Sequence, residues 1–356
     1  MEGHPHYTEA GCMAAKAHNK PNIRMVAARA RLSPATVSLA LRGSESISPA
    51  TRERALAAAR ELNYSPASRG RAPNVARVAQ LLYVTKDFGD RPVTANPFYG
   101  EILGAAEQEA LRLGMRLTFC LLSPEDRVEE QLASLVASHT PDGVLLVGAY
   151  PAHVVQQVSE TLSAPMVLVD NIIPGVSCDT VMADDFYGAL LATRHLIDLG
   201  HRQIGVAVGE YSPSLAARQR GYRAACTDAG LAMLPPTITV WDRPHMQASL
   251  EALFAQPDRP TALFCVTDYI AVYVMGLLRD LGLRVPDDVS VVGFDNFPIA
   301  RMAHPPLTTL ANYPEAMGRI AVQRLISRIK GETLPGLNIT VSTNLVIRDS
   351  VRKIEL

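Results

Sequence analysis

Ser33, Thr36 and Ser38 are three short hydroxyl side chains gathered at the start of one amphipathic stretch. Hydroxyls at a helix N-terminus are suited to contacting phosphate oxygens. The stretch lies in NIRMVAARARLSPATVSLALR, residues 22–42, where Ser33-Pro34 offers an N-cap followed by an N1 proline. Val37, Ala40 and Leu41 then recur at i, i+3 and i+4 and face inward, which leaves Pro34, Ala35, Ser38, Leu39 and Arg42 outside. In the second helix of a helix–turn–helix, that outer face is where a DNA major groove would lie. The chemistry expected of these residues is therefore recognition. Catalysis is not expected, because the chain has no GxSxG, no glycine-rich phosphate loop opening a helix, no HExxH and no spaced Cys/His set. For the same reason no cofactor or metal is expected.

Three elements must position that face. Asn22 can cap a first helix whose apolar side is Ile23, Val26, Ala27 and Ala30, and a turn follows at Arg31-Leu32. Ser48-Pro49 opens a third helix running to about Asn63, with Ala55, Leu56, Ala59 and Leu62 expected on its inner face. Tyr64-Ser65-Pro66 ends it, since a proline disfavours helix at the preceding residue.

Charge supports the same reading. From Lys20 to Arg77 eleven Lys/Arg stand against three Asp/Glu, about +8, so the rest of the chain carries about −9 to reach the total of −1. A basic head on an acidic body is the asymmetry of a nucleic-acid reader joined to a separate sensor. At 356 residues, with 48% hydrophobic and 19% charged residues, the chain is long enough for two or three ordinary globular units. No apolar run approaches the ~20 residues of a membrane helix, and residues 1–19 lack the apolar core of a secretory signal. That segment is expected to be a disordered extension, with Met13 an alternative start. Cys12, Cys120, Cys178, Cys226 and Cys265 are odd in number and widely scattered, which suits a reducing cytoplasm.

From Val78 the pattern becomes strand–helix alternation. AQLLYV, MRLTFCLL, DGVLLVG and PMVLVD are short apolar runs separated by amphipathic helices over 100–113, 125–138 and 152–162. The alternation restarts with TVMAD, QIGVAVG, a short strand near Ile238, ALFCVT and VSVVGFD, with helices over 186–199, 215–229, 247–255 and 269–281. Apolar strands between helices imply parallel sheets buried on both faces, here in two similarly built α/β lobes. Ligands in such sheets bind beyond the carboxyl ends of the strands, so a cleft between lobes is the natural site.

At this length of agreement a resemblance can be stated. VAARARLSPATVSLALRG followed by ISPATRERALAAARELNYSPA resembles the DNA-binding headpiece of the lactose/galactose repressor family. NPFYGEILGAAEQEALRLG, DDFYGALLATRHLIDLGHRQIGVAVG, ARQRGYRAACTDAG, TALFCVTDYIAVYVMGLL and VPDDVSVVGFDNFPIARMAHPPLTTL are similar, in order, to its periplasmic-binding-protein-like effector core. The implied organisation is an extension at 1–19, a helix–turn–helix domain at 20–66, a linker at 67–77 and an effector core at 78–356. The core would divide into lobe 1 (78–183 and 312–337) and lobe 2 (184–311 and 338–356), the chain crossing near Ala183, Ala311 and Leu337.

Two departures stand out. The family's base-reading positions carry Pro34, Ala35 and Leu39 here, a surface without bidentate donors that can still meet thymine methyl groups. The linker ASRGRAPN has Gly70 and Pro73 where the family resembles a short hinge helix, and both disfavour helix. Arg69 and Arg71 can instead lie along a narrow minor groove, or the segment is a solvated linker.

The resemblance also implies ligand residues. Phe98 and Tyr99, in the loop after the first strand, match cleft-lining positions able to stack on a sugar or base. Arg218 matches an effector-anchoring arginine and Asp295 its paired acid, and nothing near either in sequence offers a partner. Thr267, Asp170 and Trp241 are secondary candidates, and Asp268 reads as a helix N-cap. These groups suit a sugar, polyol or glycoside, with a purine or phosphorylated sugar still open. The expected protein is a homodimeric transcription regulator of the repressor type, bound to operator DNA and controlled by a sugar-like effector. Helices 100–113 and 268–281 resemble the family's dimer faces, and no heptad extension follows RDSVRKIEL. Two alternatives remain at this stage: a DNA-binding regulator without effector control, and a solute-binding protein, which would carry a signal peptide and no basic head.

Overall fold

The structure is a computed structural model that describes residues 22–41, 44, 47–62, 64, 78–86, 97–122, 127–209, 212–232, 234, 237–238 and 243–355. The chain divides into two units, Met1–Arg77 and Val78–Leu356. Arg42, Arg69, Arg71 and Trp241 lie outside the described residues, as do the extension at 1–19 and the linker.

The first unit holds α1 (Ile23–Ala30), α2 (Pro34–Leu41) and α3 (Pro49–Glu61). Asn22 caps α1 through its side-chain oxygen, which accepts from the N–H groups of Arg24 and Met25. Arg31 ends α1 in the left-handed region at φ 52°, where glycine would be free of strain. Its N–H and that of Leu32 return to Ala28 O and Ala27 O, at 3.2 and 2.9 Å, and so satisfy carbonyls at the helix end. Val26, Ala27, Ala30, Val37, Ala40, Ala55, Ala58 and Ala59 form the core, an alanine-rich set that lets three short helices approach closely. Leu56 was expected inside and is 37% exposed; Ala58 takes the inner position instead. The buried side of α3 is Ala55, Ala58 and Ala59, displaced around the helix from the expected stripe.

The second unit begins with β1 (Gln80–Lys86), α4 (Pro97–Arg112), β2 (Arg116–Leu122), α5 (Val128–His139), β3 (Gly143–Val147), α6 (Ala152–Thr161), β4 (Met166–Val169) and β5 (Asp179–Ala183). It continues with α7 (Asp185–Asp198), β6 (Ile204–Val208), α8 (Pro213–Asp228), β7 (Thr237–Ile238), α9 (Arg243–Phe254), β8 (Ala262–Cys265), α10 (Asp268–Asp280), β9 (Ser290–Val292), α11 (Pro298–Met302) and β10 (Thr309–Ala311). It closes with α12 (Pro314–Ile329), β11 (Asn338–Val341) and β12 (Asn344–Val346).

Lobe 1 is a parallel sheet in the order β11-β5-β4-β3-β1-β2, and lobe 2 a parallel sheet in the order β7-β6-β8-β9. Strand alternation gives lobe 1 two cores. Leu81, Tyr83, Leu145, Val147, Val167 and Val169 pack with Ile102 and Ala106 of α4 and Met317 and Leu325 of α12. Leu82, Val84, Val144, Leu146 and Leu168 pack on the other side with Leu132 of α5 and Val154 and Val158 of α6.

Two features differ from the sequence reading. β11 is hydrogen-bonded to β5, Asn338 opposite Thr180 through Val341 opposite Ala183, so residues 338–341 belong to lobe 1. The last crossing therefore falls at 342–343 rather than near Leu337, and β12 then pairs antiparallel with β10. Helix α12 was not foreseen. Its apolar side, Met317, Ala321, Val322, Leu325 and Ile326, is buried, while Arg324 and Arg328 both reach the buried carboxylate of Asp179 beneath it.

Candidate functional site

The parallel topology delivers side chains to the carboxyl ends of β1, β3, β4, β5, β8 and β9, and the polar residues gathered there are mostly buried. Arg218, on α8, is their centre. Its Nε donates to Asp185 Oδ1 at 2.7 Å and its Nη1 to Val266 O at 2.7 Å. The same Nη1 lies 2.9 Å from Asp295 Oδ1, and the guanidinium carbon sits 3.7 Å from the centroid of the Phe294 ring. Sequence offered neither Arg218 nor Asp295 a partner; in the fold they are partners of each other, and Asp185 pairs with the same guanidinium. The separation of 77 residues between Arg218 and Asp295 hid the contact, which exists because α8 and the end of β9 converge on the N-terminus of α7.

Asp295 itself has φ of 116° and Asn296 has φ of 60°, so the chain turns sharply after Phe294 and aims both side chains back toward the strand ends. Asn312, in the connection between β10 and α12, donates Nδ2 to Asp295 Oδ1 at 2.9 Å. Arg348 steadies the turn by donating to Asn296 Oδ1 at 2.6 Å and to Leu307 O at 2.7 Å.

Across from this group, Tyr99 donates its hydroxyl to Asp170 Oδ2 at 2.8 Å. Asp170 follows β4 with φ of 57°. Tyr99 is on α4, in its first turn, together with Phe98, whose ring meets it edge-on at 5.3 Å between centroids. The two aromatics were expected in a loop; Pro97 begins the helix before them. Thr267 caps α10, accepting from Ile270 N at 3.2 Å, so it and not Asp268 is the N-cap. Asp268 accepts instead from Phe297 N at 2.8 Å and from Thr309 Oγ1 at 2.5 Å. A Cβ on Gly293 would lie 2.4 Å from Asp268 Oδ1, so that position admits only glycine.

Electrostatics follow from burial. Four aspartates, Asp170, Asp185, Asp268 and Asp295, are withdrawn from water around one guanidinium. Burial pushes Asp170 up to about 7, with the charge of Asp185 adding to it and the Tyr99 hydrogen bond opposing it. Burial likewise raises Asp295 to about 8 and Asp268 to about 7, against the pull of Arg218 and, for Asp268, of Thr309. Arg218 is disfavoured by burial but held above its ordinary value by Asp295 and Asp185. One cation cannot balance these acids, so the cluster retains protons near neutrality.

Eight buried side-chain atoms of the described residues have no hydrogen-bond partner, and six of them belong to residues at these strand ends or their connections: Thr85 Oγ1, Tyr150 Oη, Asp170 Oδ1, Asn171 Oδ1, Asp185 Oδ2 and Asn312 Oδ1. Buried polar atoms without partners are costly and mark a place completed by something else. Only Asp170 of the six was foreseen. The LVDN and DDFYG strings around Asn171 and Asp185 carried a signal, polar residues directly after an apolar strand; Thr85, Tyr150 and Asn312 carried none.

In the headpiece, Pro34, Ala35 and Leu39 are exposed on α2, and Val37 and Ala40 are buried. Ser33 Oγ accepts from Thr36 N at 3.0 Å and lies 2.8 Å from Thr36 Oγ1, so both hydroxyls stand at the helix N-terminus.

A helix–turn–helix unit followed by two parallel-sheet lobes that enclose unfilled polar groups defines a regulator with a ligand-binding core. Residues 22–67 match the model of bacterial regulatory proteins of the lacI family, and residues 193–351 that of the periplasmic binding protein-like domain. The ribose operon repressor of Haemophilus influenzae is 30% identical over 92% of this chain and 97% of its own. The transcriptional repressor CytR of Escherichia coli is 30% identical over 95% and 98%. The solved structure of the transcriptional regulator CelR with cellobiose superposes with a TM-score of 0.68 at 29% identity, covering 93% of this chain and 99% of that one. The chain belongs to the lacI family and is a DNA-binding transcriptional regulator. No helix of the described residues is long and apolar enough to cross a membrane.

Proposed function

We propose that this protein is a cytoplasmic, homodimeric repressor whose affinity for operator DNA is set by a small hydroxyl-rich ligand bound between its lobes. The observation that carries the reading is the gathering of six partnerless buried polar atoms at the strand ends and their connections, four of them oxygens of Asp170, Asn171, Asp185 and Asn312 able to accept. A ligand rich in hydroxyl donors answers that demand. Relatives named for ribose regulation and solved with cellobiose agree in ligand class. Dimerisation follows from DNA geometry, because one reading helix spans too few base pairs and a two-fold operator engages two.

Arg218 enters this reading in a changed role. It anchors Asp185 and Asp295 rather than the ligand directly, so the ligand meets carboxylate and amide oxygens that the guanidinium holds in place. Closure around the ligand would shift the population between lobe arrangements and thereby operator affinity. The test is a thermal-shift panel of sugars and polyols on the full chain, followed by operator titration with each hit. A ligand at ~100 times its Kd adds ~2.7 kcal/mol of stability, enough to detect. A hit that changes operator affinity supports the reading. Hits that leave operator affinity unchanged would favour a regulator without effector control.

A further inference from the structure

The oxygens of Asp170, Asn171, Asp185 and Asn312 mark one part of the site, and the neighbouring ends of β1 and β3 have a different character. Lys86 is the last residue of β1, half-buried, with its ammonium 4.8 Å from the centroid of the Tyr150 ring. No carboxylate of the described residues pairs with it. The other cations at these strand ends are committed: Arg218 to Asp185, Asp295 and Val266 O, and Arg348 to Leu307 O and Asn296. Tyr150, just beyond β3, is 4% exposed, and its ring is fixed among the apolar residues of the α5 and α6 side. Its hydroxyl is buried without a partner. Burial, helped by the Tyr83 phenol, pushes that hydroxyl far above ordinary tyrosine, so it stays protonated and can donate.

We infer that the effector is a hydroxyl-rich anion, whose carboxylate or phosphate oxygens are held by the Lys86 ammonium and the Tyr150 hydroxyl while its hydroxyls donate to the acceptors around Asp170. This rests on the interlobe reading above and narrows it. The hydroxyls of a neutral polyol can accept from both groups, but they bring no countercharge to an ammonium already partly stripped of water. Burial lowers the pKa of Lys86, the sign of an ammonium that lacks compensation where it stands. The aromatic face of Tyr150 supplies some of it, yet a ring cannot accept from its own hydroxyl. An anion has two or more oxygens and accepts from both groups at once, which makes both hydrogen bonds charge-assisted. The sequence reading left a phosphorylated sugar open without a residue to hold its phosphate; Lys86 is the group that fits that role.

The experiment uses the full chain and matched probes: glucose, galactose and ribose, the uronates of the two hexoses, and the terminal phosphates of all three. Melting temperature and calorimetric affinity are measured for wild type, Lys86→Gln and Tyr150→Phe. At least one anionic probe should raise the melting temperature well beyond its neutral parent at equal concentration. Lys86→Gln should weaken that probe about tenfold or more, and Tyr150→Phe several-fold, with both unliganded variants melting near wild type. Whether uronate or phosphate responds distinguishes the two sources of negative charge. Binding of a neutral sugar as tightly as its acid, or equal losses for both in Lys86→Gln, overturns this inference and leaves the interlobe site standing. Silence from every probe, neutral and anionic alike, overturns both.

Discussion

Arg218, which the sequence offers as a ligand anchor, is also tied in the fold to Asp185, Asp295 and Val266 O. Two carboxylates and a backbone carbonyl engage its Nε and Nη1, and the side chain is buried. Removing one partner of such a group leaves the others buried and unpaired, which costs far more than the pair contributes net. Arg218→Ala should therefore lose ~3–5 kcal/mol of unfolding free energy, and Asp185→Asn in the same background should recover part of it. Chemical denaturation of the three proteins checks this; a single variant as stable as wild type would return Arg218 to the role of a free anchor. Asp170 supports a second measurement. Its carboxyl is raised to about 7 in the fold, from a reference of 3.8. The folded chain thus holds a proton that the unfolded chain releases, and the associated stability is complete below pH ~4 and lost as pH rises toward about 7. Asp170→Asn keeps an acceptor for Tyr99 without that liability. Relative to wild type it should gain stability between pH ~5 and ~7, by at most ~1.4 kcal/mol per pH unit, and no further above. A constant difference across that range would show that Asp170 is ionised throughout.

At the scale of elements, each lobe is clasped by one helix pair that meets backbone to backbone. A Cβ on Gly221 of α8 would lie 2.1 Å from Phe186 O of α7, and a Cβ on Gly318 of α12 would lie 2.3 Å from Ile102 O of α4. Neither backbone can yield, so Gly221→Ala and Gly318→Ala should each separate their helices and lower the melting temperature by several degrees, the size of a strained or overpacked core change. The same elements explain what the sequence disclosed. Period-two and continuous apolar runs gave β1 through β6, β8 and β9, because a strand buried on both faces has little freedom in residue type. Caps gave α1 and α3, through Asn22 and Ser48. The inner face of α3 was misjudged at Leu56 since helix periodicity fixes a stripe only to within one residue. Helix α12 carries Arg324 and Arg328 inside its pattern, and only the distant Asp179 makes them compatible with a buried face. The candidate site was less legible still. Asp170, Tyr99, Arg218 and Asp295 were named, but Asn312 and Tyr150 reach the site through chain connections that have no local signature.

For the whole molecule, the charge of the helix–turn–helix segment makes salt the natural probe. Eleven basic residues against three acidic ones over 20–77 imply that operator binding releases counterions. Affinity measured by fluorescence anisotropy should fall linearly on logarithmic axes as salt increases, and a flat dependence would remove phosphate contact as the basis of binding. One feature of the effector core bears on how the protein is made. Residues beyond the final crossing close lobe 2: β12 pairs with β10, Ser350 O accepts from Val291 N, and Ile354 N donates to Leu199 O. These contacts use backbone groups on the outer strand of that sheet and on the end of α7. During synthesis the headpiece and all of lobe 1 except α12 and β11 leave the ribosome long before that closing segment exists. A nascent chain can thus hold a folded DNA reader before residues 344–354 have been added to close lobe 2, so lobe 2 is completed after the reader.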